Sequence, residues 1–184
     1  MTLTEKIHNL GYDVKEYYLK KVQEVISSLN NEDKLPYINH ALTLFRNNTT
    51  MLIKKLEIAR WYVSHNKNDE AIVLADEIGN LITGACLVKA EALFNKAKVE
   101  TDLDRRVKLL RESLSSITST TGTGSSKLIE SVNELFIDTA ELYYSVKDSD
   151  KAYAILHEQS NLGSEKIAKL NFLLSTQRDN WTER

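Results

Sequence analysis

Cysteine occurs once in the 184 residues, as Cys86, so no intramolecular disulfide can form and stability has to come from packing. The setting of that residue, Gly84-Ala85-Cys86-Leu87-Val88, is apolar and has no close His or basic neighbour. A small buried thiol is expected there rather than a reactive one. Proline is also present only once and glycine six times, so helix breakers are scarce. A large charge of either sign is missing too: the formal net charge is -2, which leaves out the basic excess through which nucleic-acid binders neutralise phosphates. No apolar run approaches the roughly 18 residues that span a bilayer. The first residues, Met1 to Ile7, lack the apolar core of a secretion signal. These absences predict an intracellular, cytoplasmic protein with no membrane segment, and they give nucleic acid no support as a partner.

What is present is ordinary globular material, 42% hydrophobic and 27% charged, long enough for one domain spanning 1-184 that buries roughly 70% of its unfolded surface. Apolar residues recur at helical spacing almost throughout, which makes the chain all-α with about eight or nine helices. An N-terminal helix pair is expected over 13-46. Its first helix is capped by Asp13 with Glu16 reaching back, and its second begins at Leu35-Pro36, where proline is tolerated in the first turn. A pair over 49-82 follows, capped by Thr49 or Thr50 and broken at Ser64 to Asn68. A further pair spans 85-117, with Asp102 capping its second helix. The stretch 118-126, Thr-Ser-Thr-Thr-Gly-Thr-Gly-Ser-Ser, is poor in helix formers and reads as a flexible loop. Another pair is expected over 127-162, and a capping helix over 164-177 carries Ile167, Leu170, Leu173 and Leu174.

Two of these pairs share a pattern. Ile58-Ala59-x-x-Tyr62 is followed, after eight residues, by Ala71-x-x-x-Ala75; Thr139-Ala140-x-x-Tyr143 is followed, after eight residues, by Ala152-x-x-x-Leu156. Small residues at Ala59, Ala71, Ala140 and Ala152 would let paired helices approach closely, with Tyr62 and Tyr143 filling the space beside them. The pattern resembles the tetratricopeptide repeat. The resemblance covers about 30 residues in each of two segments, with Lys55 where the first copy should carry its leading aromatic and Phe136 supplying it in the second. Between them, 85-117 would have to be a degenerate repeat, and the copies lie 81 positions apart (59 to 140), wider than two standard repeats. The resemblance implies antiparallel helix pairs stacked as a right-handed superhelix, an α-solenoid. Another solenoid or an irregular helical bundle is the alternative.

Sites of chemistry are hard to find. The loop Thr121 to Lys127 has glycines and a lysine but not the G-x-x-x-x-G-K-[ST] spacing of a phosphate loop. His8, His40, His65 and His157 form no pair at ligand spacing. Neither a cofactor nor a metal site is expected, and the chain is expected not to be an enzyme. The repeat resemblance implies a protein-interaction module (adaptor, scaffold, assembly subunit or small chaperone) that holds a peptide or helix on the concave face lined by the first helix of each pair. The residues it assigns to that face are Glu57, Arg60, Ser64, Glu91, Asn95, Asp138, Glu141 and Tyr144. Their acidic balance favours a basic or mixed-charge peptide, or an amphipathic helix. A subunit of an enzyme or nucleic-acid-associated complex with a local anion patch is the second reading, and a homo-oligomer is compatible with either.

Overall fold

The computed structural model describes residues 14-117 and 123-158 and, nearer the C-terminus, Ala168, Phe172, Leu174 and Ser175. Within these the chain is all-α, with no strand among the described residues. The helices are α1 (Val14–Ser27), α2 (Asn31–Leu44), α3 (Thr49–Ser64), α4 (Asn68–Ile78), α5 (Gly84–Val99), α6 (Leu103–Ile117), α7 (Thr123–Ser145) and α8 (Ser149–Glu158), with a 3-10 turn at Gly79–Leu81. Where a single domain was expected, the chain divides into two compact units, Met1–Val88 and Lys89–Arg184, with the boundary inside α5.

Several helix starts differ from expectation. Asp13 lies outside the described residues. Asn30, extended at φ -66° and ψ 158°, starts α2 at Asn31, four residues earlier than expected, and Glu32 and Asp33 place negative charge in its first turn. Pro36 therefore lies inside α2, where it removes one backbone hydrogen bond. Asn48 caps α3 by accepting from the Met51 N–H at 3.0 Å, so Thr49 and Thr50 are helical residues rather than caps. Asp102 does cap α6, its Oδ1 accepting from the Arg105 N–H at 3.1 Å. The expected loop over 118-126 is corrected in part: residues 123-126 belong to α7, and Ser125 is buried in that added turn, so packing outweighs the weak helix propensity of Thr, Gly and Ser. Residues 118-122 lie outside the described set. So does most of the capping helix expected over 164-177; its four described residues are helical, and Leu174 is buried in the core of the second unit.

The α3-α4 and α7-α8 hairpins are the same structure. In both, the first helix ends on a residue in the left-handed region, Asn66 at φ 59° and Lys147 at φ 64°. The following N–H reaches back five residues, Lys67 to the Tyr62 carbonyl and Asp148 to the Tyr143 carbonyl, each at 2.9 Å, while Asn66 and Lys147 donate to the Val63 and Tyr144 carbonyls at 3.1 and 3.0 Å. This is the Schellman ending, which satisfies carbonyls that a helix end otherwise leaves open. Because a side chain costs about 1 kcal/mol in that backbone region, Lys147→Gly is expected to raise stability by about 0.5–1 kcal/mol, read as an increased urea midpoint. A decrease would mean that the lysine side chain holds the turn.

Buried positions repeat as well. Ala59 and Ala140, Ile58 and Thr139, Met51 and Val132, Leu56 and Ile137, and Ala71 and Ala152 occupy equivalent places and are all buried, as are Tyr62 and Tyr143. The repeat-packing assignments at Ala59, Tyr62, Ala71, Ala140, Tyr143 and Ala152 thus all fall in core positions. The likeness extends backwards at a different spacing, 72 positions (38 to 110): Ile38 and Leu110 are fully buried, and Ala41 and Ser113 are the small buried residues after them. Ser113 donates its hydroxyl to the Ala90 carbonyl of α5 at 2.8 Å, which satisfies a polar group at a site Ala41 fills without one. The described chain is therefore two quartets, α1–α4 and α5–α8, with the same order of helices and the same buried register from the second helix of each onward. The pair over 85-117 corresponds to the N-terminal pair of the first quartet, and the wide spacing of the matching hairpins reflects the intervening pair together with the longer α7.

Two glycines sit at constrained places. Gly79 ends α4 at φ 55°, a region side chains avoid. A Cβ at Gly84 would lie 3.0 Å from both Arg60 Nη2 and Leu56 Cδ2, so a larger residue at the start of α5 would require these two side-chain ends to shift by a few tenths of an ångström.

Candidate functional site

The assigned surface residues lie on their helices as follows. On α3, Glu57 is exposed and ion-paired with Lys54 at 2.8 Å, Arg60 is exposed beside Gly84, and Ser64 is occupied in ending the helix, its hydroxyl 2.8 Å from the Trp61 carbonyl and 3.0 Å from His65 Nδ1. On α7, Glu141 is exposed and Asp138 half-buried, while Tyr144 packs against the core of the second unit. On α5, Glu91 is exposed and Asn95 half-buried. Each of these faces belongs to its own unit. Exposed Glu57 and Arg60 are equivalent to Asp138 and Glu141, so the two quartets present the same positions with different charge: mixed on α3, acidic on α7, where Glu130 and Glu134 extend the stripe.

Charge pairs between helices also repeat in altered form. In the second quartet Arg111 of α6 grips Glu158 of α8, with Nη2 at 2.8 Å and Nε at 3.2 Å from both carboxylate oxygens, and the guanidinium is raised further above its ordinary pKa by that hydrogen bond. The equivalent of Glu158 is Glu77; the equivalent of Arg111 is Asn39. The missing cation comes from Lys55 of α3, which lies 2.5 Å from Glu77 and donates to Asn39 Oδ1 at 2.8 Å. Lys55 is only 6% exposed and occupies the place of Phe136. The lysine at the aromatic position is thus a cation moved from one helix to the next, with the carboxylate kept.

A second pair joins the start of the second helix to the start of the fourth. Lys151 donates to both oxygens of Asp104 at 2.8 Å, and the Tyr143 hydroxyl donates to Asp104 Oδ1 at 2.6 Å beneath it. The Lys151 hydrogen bond, then that of Tyr143, lowers the Asp104 pKa, while burial, followed by the Asp104 hydrogen bond, pushes the Tyr143 phenol far up. In the first quartet Lys67 pairs with Glu32, its ammonium 5.7 Å from the ring centroids of both Trp61 and Tyr62. The Trp61 indole also stacks near His65 at 4.2 Å. It lines an open hollow of about 460 Å³ with Leu29, Asn30, Asn31 and Glu32.

No protein-family model matches the chain. No curated protein and no solved structure matches it either. Among the described residues no three His, Cys, Asp or Glu side chains gather in a way that could hold a metal ion, and no helix is long and apolar enough to cross a membrane. Cys86 is half-buried rather than buried, its Sγ 3.9 Å from Asn80 Oδ1. The hollow beside Trp61 and the Lys55 and Arg111 pairs carry no motif that the sequence alone displays. The one signal available was a lysine standing where the repeat calls for an aromatic.

Proposed function

We propose that the chain is a non-catalytic helical-repeat module of tetratricopeptide-like, right-handed stacking, and that it holds a basic or amphipathic segment of another protein. The observation that carries this reading is the outward face of α7. Glu130, Glu134 and Glu141 stand exposed on a helix whose opposite side is fixed in the core by Val132, Phe136, Ala140 and Tyr143. A rigid helix with an acidic outer stripe offers complementary charge without the cost of ordering a loop. Cytoplasmic action goes with the reading, on the strength of the single cysteine.

The test uses a fluorescein-labelled, lysine-rich amphipathic 20-residue peptide, with binding read by anisotropy at low salt. Glu134→Lys with Glu141→Lys is expected to weaken binding about 10-fold, and raised salt should weaken the wild type in the same direction. Equal binding by the charge-reversed variant, or no binding at any salt, would remove the acidic face from consideration.

A further inference from the structure

The corner where α2 begins is bonded differently from its counterpart at the start of α6. At the start of α6 the Arg106 guanidinium donates to the Glu100 carbonyl at 2.5 and 3.0 Å, the Glu100 carboxylate accepts from the N–H groups of Thr101 and Asp102 at 2.9 and 3.0 Å, and Leu142 stands where the first quartet has Trp61. At the start of α2 the Asn30 side chain makes no cap bond, the place of Arg106 is taken by Lys34, which turns to Asn31 Oδ1 at 3.0 Å, and the hollow remains with Trp61 and Glu32 on its wall. An indole and a carboxylate on one wall are the two groups that hold a cationic side chain, one by its ring electrons and one by charge. The chain shows the chemistry itself: the Lys67 ammonium lies on Glu32 and over the Trp61 ring. That hydrogen bond raises the Lys67 pKa, so the ammonium stays charged.

We infer that the hollow is a binding site for one arginine or lysine side chain of the partner segment, which lies against Trp61 and shares or takes over Glu32 from Lys67. The inference rests on the partner being basic, as proposed above, and it places one of its cations. Lys67 acts as an internal competitor; in the second quartet Lys151 holds Asp104 together with the Tyr143 hydroxyl.

The probe is N-acetyl-arginine amide, followed by Trp61 fluorescence in a Trp181→Phe background, since these are the two tryptophans of the chain. Saturable change with this probe and none with the neutral citrulline analogue is expected. Glu32→Gln should weaken the response at least 10-fold, and Lys67→Met should strengthen it several-fold by removing the competitor. Lys67→Gln, with circular dichroism confirming unchanged helix content, repeats the test should the methionine variant unfold. An equal response to citrulline, or weaker binding in a folded Lys67 variant, would overturn the site and leave Lys67 a structural clasp only. Binding of the lysine-rich peptide without any Trp61 response would sink this inference alone, whereas an arginine response with no peptide binding would sink the proposed function and keep the site.

Discussion

Phe136→Ala is expected to destabilise the chain by about 3–5 kcal/mol, the usual cost of removing a fully buried phenylalanine and leaving its cavity. The ring is 0% exposed and lies in a cluster with Val132, Ala140, Tyr143, Ile155 and Leu156, where flanking helices are already close-packed on alanines and cannot collapse far into the space. The loss should appear as a lower urea midpoint at unchanged slope. Phe136→Leu should cost less than half as much, because it keeps most of the apolar volume. A change below about 1 kcal/mol for the alanine variant would mean that α7 does not pack through this position.

Phe136→Lys is expected to be as damaging, and its rescue is the more telling measurement. A lysine there repeats what Lys55 does in the first quartet, but it would enter beside Arg111, which already neutralises Glu158. Two cations would then face one carboxylate at a buried position, at a cost of about 3–5 kcal/mol. Adding Arg111→Asn reproduces the Asn39-Lys55-Glu77 set and should return at least about 1–2 kcal/mol of the loss, a coupling of the size seen between residues sharing one network. Glu77 is itself half-exposed, so water screens part of its attraction and full recovery is not expected. If Arg111→Asn worsened the Phe136→Lys chain, the two networks would not be equivalent, and the likeness of the quartets would end at their apolar core.

The helices were legible because their signal is local. Leu103–Ile117 coincides with its expected limits, and α5 begins one residue before its expected start, since apolar periodicity and the Asp102 cap both lie within a few residues of the ends. Errors fell where a distant contact decides. Pro36 favours a helix start by its usual preference, but the first turn of α2 lies further back, where Glu32 meets Lys67 from 35 residues away. The composition around Ser125 favours a loop, yet this residue is buried in the first turn of α7. Of the assigned partner-binding residues, Glu57, Arg60, Glu91 and Glu141 are exposed, whereas Ser64 is spent on its own helix end and Tyr144 packs on the core.

By itself the sequence determined that this chain is helical and that two of its hairpins are the same. Helical periodicity and the alanine and tyrosine spacing are properties of short segments, and burial at Ala59, Tyr62, Ala140 and Tyr143 follows from them. Only the tertiary structure decided that the likeness takes in three helices of each quartet, that Lys55 stands in for Arg111, and that the start of α2 has a hollow beside Trp61. Those facts depend on which side chains from separate helices meet, and a cation can reach the same carboxylate from either of two neighbouring helices. No local pattern records that choice.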